Sequence, residues 1–221
     1  MSPAIHGLLL ASASPRRQEL ARWLGLPLRV QPARVDETPM PGETPEDYVA
    51  RLAQTKAHAV GTIPARWVVL AADTAVVLEG RILGKPATAQ EARDMLQALR
   101  GRRHRVLTGF TLRPWDDAWE HTEVVSTQVY MRDYTQDEIH QYITSGAALD
   151  KAGAYGIQDR PFQPVARLGP VACFANVVGL PVCHVLRALH RRTGVPLRPI
   201  TARCREAWQY HCPVPEALRE R

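Results

Sequence analysis

Leu8-Leu9-Leu10-Ala11-Ser12-Ala13-Ser14-Pro15-Arg16-Arg17 is the stretch that decides the architecture. Its apolar run reads as a first buried strand. Ser14 is a favourable helix cap and Pro15 suits a first helical turn, so a helix is predicted from Pro15 to about Leu24. Leu20, Trp23 and Leu24 fall at helical spacing, and Gly25 followed by Pro27 ends the pattern. A buried strand that turns directly into a capped helix is thus the first unit of the chain. Leu8-Leu9-Leu10 and Ala11-Ser12-Ala13 also mimic a secretory signal, but a basic leader and a full apolar segment are lacking.

Strands and helices keep alternating along the chain. Leu28 to Val30 reads as a short strand and Val35 to Pro45 as a polar loop. Thr44-Pro45-Glu46-Asp47 then opens a helix reaching about Val60, with two acids at the positive end of its dipole. Trp67 to Ala72 is a nearly continuous apolar run, the mark of a buried strand, and it is predicted to deliver Asp73 at its carboxyl end. Ala75 to Leu78 and Arg81 to Leu83 read as a hairpin about Glu79-Gly80. Helices are predicted for Thr88 to Leu99, Tyr134 to Ser145 and Val178 to Arg192. Between the first two, His104 to Leu112 and Glu123 to Met131 form an antiparallel pair. From Gly194 the pattern decays, so residues 1–194 read as one domain and 195–221 as a wrapped or partly ordered tail.

A chain of 221 residues can bury a substantial core as one domain, or as one domain with two lobes around a cleft. Its 45% hydrophobic and 23% charged residues are those of a soluble globular protein, and no apolar run approaches the roughly 20 residues that span a bilayer. Cys173, Cys183, Cys204 and Cys212 lack paired metal-ligand spacing, so a reducing cytoplasm fits best; Cys204 with His211-Cys212 is a poor zinc candidate for the same reason. The net charge of +6 and the cluster Arg187, His190, Arg191, Arg192, Arg198, Arg203 and Arg205 invite a nucleic-acid reading. A basic patch supplies only sequence-independent attraction, and no aromatics interleave with it as a stacking platform would require. Polynucleotide binding is therefore not expected. A polyanionic small substrate would favour the same charge.

Only three of the 28 basic residues are lysines, Lys56, Lys85 and Lys151. Chance would allow that, but Lys85 sits in Gly84-Lys85-Pro86 and Lys151 in Asp150-Lys151-Ala152-Gly153-Ala154-Tyr155. Lysine offers a compact point charge on a flexible stem, able to sit against a phosphate oxygen or beside a metal-bound carboxylate. Ser12 through Arg17 places hydroxyls and two guanidinium groups where free amides and a helix dipole attract anions. That is a phosphate cradle in outline, or an ordinary capped helix with exposed arginines. Asp36-Glu37 reads equally as a solvated loop pair. Asp73 differs, because a carboxylate after six apolar residues is costly to bury unless a cation, metal or donor meets it.

Taken in order and spacing, Ser12 through Arg17, Asp36-Glu37-Thr38, Lys56-Ala57, Ala72-Asp73-Thr74, Gly84-Lys85-Pro86, His104 through Gly109, Lys151 through Gln158 and Asn176 through Pro181 resemble the Maf family of nucleoside triphosphate pyrophosphatases. The resemblance covers roughly residues 7 to 192. It implies a two-lobed α/β, mixed-sheet fold similar to inosine triphosphate pyrophosphatases, with the substrate in the cleft between lobes. It also implies a divalent cation, magnesium or manganese, and a cytoplasmic homodimer. The branch that looks closest hydrolyses dTTP and UTP, and its marks fall on Arg16, Thr74 and Gln158; a branch acting on 7-methyl-GTP departs at the positions of Arg16 and Gln158. In the family pattern Asp73 is the proton acceptor, and Ser12, Arg17, Glu37, Lys56 and Lys85 match polar positions lining the cleft. Gly169 through Ala175 and the tail beyond Val195 depart from the pattern.

The chemistry accounts for these residue types. Attack of water on an α-phosphorus adds negative charge to the bridging and equatorial oxygens, which fixed cations such as Arg17, Lys56 and Lys85 would face. Glu37 and Asp73 offer hard oxygen ligands for a metal, and Asp73 beside it could take the proton of the attacking water, as base, ligand or both. Thr74 and Gln158 carry donors and acceptors able to read a uracil or thymine edge. Three readings follow: a pyrophosphohydrolase for surplus or modified pyrimidine nucleotides, a nucleotide-binding regulator linked to cell division, and a nucleic-acid module using the arginine-rich end.

Overall fold

A computed structural model of the chain describes residues 5–213. Seven strands form one mixed sheet in the order β2-β1-β3-β5-β6-β7, with β4 attached to the end of β3. β1 (Gly7–Leu10) lies parallel to both β2 (Leu28–Val30) and β3 (Trp67–Leu78). From β3 onward the pairing is antiparallel, through β4 (Arg81–Leu83), β5 (Arg103–Pro114), β6 (His121–Met131) and β7 (Val165–Leu168). The helices are α1 (Pro15–Arg22), α2 (Pro45–His58), α3 (Ala89–Leu99), α4 (Gln136–Thr144), α5 (Phe174–Val178), α6 (Val182–Thr193) and α7 (Ile200–Trp208). Each of α1 to α4 starts on a hydroxyl cap, Ser14, Thr44, Thr88 and Thr135, whose side chain accepts a first-turn amide.

Even-numbered residues of β3 and β5 point to one face of the sheet, as the register Thr74↔Thr108 and Val76↔Val106 requires. That face carries two cores. Leu8, Leu10, Val68, Leu70 and Phe110 pack under α1, α6 and α7, whereas Val76, Val106 and Val129 pack under α3 and α4 with Leu96, Tyr134 and Phe162. The polar residues Thr74 and Thr108 lie between them. The opposite face is covered by α2, where Val49 meets Ala75, Val77 and Leu107. A Cβ on Gly109 would stand 2.3 Å from the Val49 carbonyl oxygen, so only glycine lets α2 approach this closely.

Two expectations need correction. Asp73 does not end a strand: β3 runs through it for twelve residues, and the predicted hairpin strand from Ala75 is its continuation. Desolvation does not stop the strand because a buried lysine meets the carboxylate, while its backbone stays in the ladder opposite Gly109. The helix expected over Val178 to Arg192 is two helices, since Gly179 adopts φ +126° and Pro181 cannot donate into a continuous helix. In the tail, expected to be wrapped or partly ordered, α7 packs against the core. Ile200 and Cys204 of α7 are buried, and Trp208 stacks on Phe174 at 4.5 Å and leans on Trp23 at 5.0 Å. The remainder of the tail lies outside the described residues. No helix among the described residues is long and apolar enough to cross a membrane.

Candidate active site

The sheet edge explains where a site can form. On one side of β3, β1 pairs only as far as Leu70 and β4 begins at Val76, so Ala71 to Ala75 have no strand neighbour there. Asp73 and Thr74 stand in this gap, facing opposite sides of the sheet. A cleft of about 610 Å³ opens at it, lined by the turn from Ser12 to Arg17, by Glu37, Lys56, Thr74 and Lys85, and from the far wall by Asp150 to Ala152 and Tyr155 to Asp159.

On the α2 side, Lys56 is 6% exposed and its Nζ lies 2.6 Å from both Asp73 Oδ1 and Glu37 Oε1. An ammonium is small enough to sit between two carboxylates at the end of a helix that Gly109 lets close in. The loop delivering Glu37 is held by local bonds: Asp36 Oδ1 accepts the Thr38 amide, and Tyr48 Oη donates to the Glu37 carbonyl. Asp36 therefore shapes the turn while Glu37 reaches the site. Burial works to raise the Glu37 pKa, but the hydrogen bond and charge of Lys56, helped by Lys85 and Arg17, outweigh it and hold the carboxyl below its ordinary value.

On the other face, Arg17 organises the neutral half. Its Nη1 donates to Ser12 Oγ at 3.4 Å, its Nη2 to Thr74 Oγ1 at 3.0 Å and its Nε to the Gly179 carbonyl at 3.0 Å. The helix break at Gly179 to Pro181 is what exposes that carbonyl. Thr74 Oγ1 also meets Thr108 Oγ1 at 2.9 Å, and Thr108 donates to the carbonyl of Asn176, whose amide ties Val106 to Thr127. Burial lowers the Arg17 pKa, with Asp73 and Glu37 acting against it.

The predicted residues thus fall into three groups. Ser12, Arg17 and Thr74 are joined by direct contacts on one face of the sheet, and Glu37, Lys56 and Asp73 on the other. Lys85 stands exposed on the rim with no ion pair among the described residues, and Gln158 lines the far wall. Arg16 reaches across the cleft mouth to Asp150 at 3.4 Å. Sequence reasoning missed Asp150, Asp159 and the Gly179 carbonyl; Asp150 and Gly179 lay inside quoted motifs without a role, and the helix break was signalled by Gly179-Leu180-Pro181. Among the described residues no three His, Cys, Asp or Glu side chains form a cage for a metal ion, the Cys204, His211 and Cys212 group included. A metal at Glu37 and Asp73 would have to draw its other ligands from substrate and water.

A family model described as Maf-like protein matches residues 7–192. A protein of Anaeromyxobacter dehalogenans (strain 2CP-C) is 51% identical over 193 residues, covering 86% of this chain and 95% of its own. One of Myxococcus xanthus (strain DK1622) is 48% identical over 191 residues, 86% and 94% of the two chains. One of Geobacter sp. (strain M21) is 42% identical over 182 residues, 82% and 93%. All three bear the name dTTP/UTP pyrophosphatase. With the match spanning both walls of the cleft, the chain belongs to the family of Maf-like proteins.

Proposed function

We propose that this protein hydrolyses dTTP and UTP, and modified pyrimidine nucleotides of the same shape, to the monophosphate and pyrophosphate. The observation that carries the reading is Lys56 held between Glu37 and Asp73 at the gap in the sheet edge, beside Ser12 and Arg17, in a chain so similar to proteins of that name.

Arg17, Lys56 and Lys85 face the triphosphate, with the Ser12 hydroxyl as a further donor, and offset the charge that grows on the oxygens as the bond breaks. Water attacks the α-phosphorus, the α–β bridging oxygen leaves with pyrophosphate, and Asp73 accepts the water proton. The two carboxylates share a single ammonium, so one negative charge at Glu37 and Asp73 is left uncompensated by Lys56; this hard-oxygen pair suits magnesium or manganese, with phosphate oxygens and water completing the shell. Held by Glu37 and Asp73, such an ion would supply a lowered pKa to a coordinated water. Arg16 and Gln158 line the cleft where a base would lie, and Thr74 acts from beneath by orienting Arg17. A site that hydrogen-bonds a pyrimidine edge leaves buried groups unpaired with the wrong base. The homodimer and the cytoplasmic location implied by the family belong to the same proposal, and sedimentation equilibrium and cell fractionation test them. No observation favours a catalytically weak regulator of cell division.

The deciding experiment assays pyrophosphate release from a panel of nucleoside triphosphates with magnesium and with manganese. Preference for dTTP and UTP over ATP and 7-methyl-GTP is expected. A preference for 7-methyl-GTP would overturn the pyrimidine assignment, and absence of pyrophosphate from every nucleotide would overturn the activity.

A further inference from the structure

The third lysine, Lys151, is the one the proposed chemistry does not use. Its side chain is 11% exposed and surrounded by acceptors: Nζ donates to the Ala147 carbonyl, lies 2.8 Å from Asp150 Oδ1 and 3.6 Å from Asp159 Oδ2. Both carboxylates continue outward. Asp150 Oδ2 receives Arg16 Nη1 from the opposite wall at 3.4 Å, and Asp159, the residue after Gln158, accepts the Tyr142 hydroxyl. Tyr142 is itself held by stacking on Phe162 at 4.4 Å.

Asp159 folds its carboxylate back over its own turn. Its amide donates to the Gly156 carbonyl at 3.2 Å, and a Cβ on Gly156 would stand 2.7 Å from Asp159 Oδ2. The turn that presents Gln158 to the cleft is therefore shaped by where the Asp159 carboxylate is anchored. Arg16, Asp150, Lys151, Asp159 and the Gln158 turn form one chain of contacts that crosses the cleft.

Charge separates two possible roles for Lys151. Arg17, Lys56 and Lys85 stand against two carboxylates, Glu37 and Asp73, which leaves positive charge for phosphates. Arg16 and Lys151 stand against Asp150 and Asp159, which leaves none. An ammonium that already donates two hydrogen bonds and has a second carboxylate at 3.6 Å is a fastener and not a free phosphate ligand. The outer Arg16–Asp150 pair, 36% and 64% exposed, is weak enough to exchange for a substrate contact.

We propose that Lys151 is a positioning residue that, through Asp150 and Asp159, sets Arg16 and the Gln158 turn relative to each other, so that base selection depends on both together. This rests on the reading that Arg16 and Gln158 meet the base. It assigns Lys151, Asp150, Asp159 and Tyr142 a role in specificity, separate from the bond-breaking group on the other wall.

The test is steady-state kinetics on dTTP, UTP and GTP for the full chain, Lys151→Met, Lys151→Arg and Asp159→Asn, with a double-mutant cycle between Arg16→Ala and Asp159→Asn. Lys151→Met is expected to raise KM for dTTP and lower the dTTP/GTP preference, each by about tenfold, with kcat nearly unchanged; Lys151→Arg should restore part of the preference. The cycle should be non-additive. If Lys151→Met folds poorly, Asp159→Asn carries the same expectation, because its amide oxygen still accepts from Tyr142 while the charge is gone. A fall in kcat at constant KM, an unchanged base preference, or an additive cycle would overturn the proposal. Should the wild type prefer some other base, the pyrimidine reading fails by itself, and the cycle run on the preferred nucleotide still decides whether Arg16 and Asp159 are coupled.

Discussion

The two walls of the cleft are built from different material. The wall bearing Asp73 and Lys56 is a central strand and a helix packed on it, with both residues under one-tenth exposed. The wall bearing Gln158 follows a 3₁₀ turn, Ala152–Ala154, and its outermost charge, Asp150, is 64% exposed. Rigid elements hold a constellation to the tolerance that bond-breaking needs, while turns can vary to suit a ligand. Substitutions on the first wall should therefore act on kcat, and those on the second on KM and base preference.

The largest expected effect is on the first wall. Asp73→Asn keeps the size of the side chain and an oxygen for Lys56, but it can no longer accept the water proton, so kcat for dTTP should fall by roughly 10²–10⁴-fold while the thermal midpoint changes little. Pyrophosphate release at a near wild-type rate would remove Asp73 from the mechanism and level the contrast between the walls.

The support beneath the second wall titrates. His104 is 3% exposed, its Nε2 meets Tyr155 Oη at 2.6 Å, and its Nδ1 has no hydrogen-bond partner among the described residues. Burial brings its pKa down from 6.5 to about 4. The folded state thus resists a proton that the unfolded chain accepts, so this contribution is complete above pH 6.5 and is lost as the pH falls toward 4. The loss is on the order of 3 kcal/mol. Urea unfolding of wild type and His104→Gln at pH 7.5, 5.5 and 4.5 checks it: the variant should show a shallower loss, and parallel curves would exclude His104 as the source.

On the first wall again, Lys56→Arg should lower stability by up to about 3 kcal/mol, because a planar guanidinium overfills a space closed by two carboxylates and a helix. Activity should fall with it. Chemical denaturation together with dTTP turnover measures both, and unchanged values would mean that α2 can retreat from Gly109 at little cost.

How much of this could be read from the chain varies along it. The opening strand and helix were legible because Ser14-Pro15 and Gly25 punctuate them, and the polar motifs contain Ser12, Arg17, Glu37, Lys56, Lys85 and Gln158, which line the cleft, whereas Asp73 is not among the lining residues. The continuity of β3 through Asp73 was not legible, because the partner that neutralises the carboxylate sits on a helix 17 residues earlier. The gap in the sheet edge was equally hidden, since it arises from where β1 stops and β4 starts rather than from β3 itself. The helix at Ile200–Trp208 could have been found: Ile200, Cys204 and Trp208 recur every four residues after Pro199. The path from Lys151 to Arg16 depends on an ion pair between residues 134 apart, which no local pattern encodes.

The smallest effect should come from Lys85, and it tests whether burial or residue type makes a lysine indispensable here. Lys85 shares its rarity with Lys56, yet it is exposed on the rim where Lys56 is enclosed. An arginine there has room to turn its fork toward a phosphate and keeps the charge, so Lys85→Arg should leave stability within about 0.5 kcal/mol of wild type. Its kcat/KM for dTTP should stay close to wild type as well, whereas Lys85→Met removes a cation and should raise KM. If Lys85→Arg is as damaging as Lys56→Arg, the rim must close around the nucleotide during turnover, and the compact ammonium is then required at both positions.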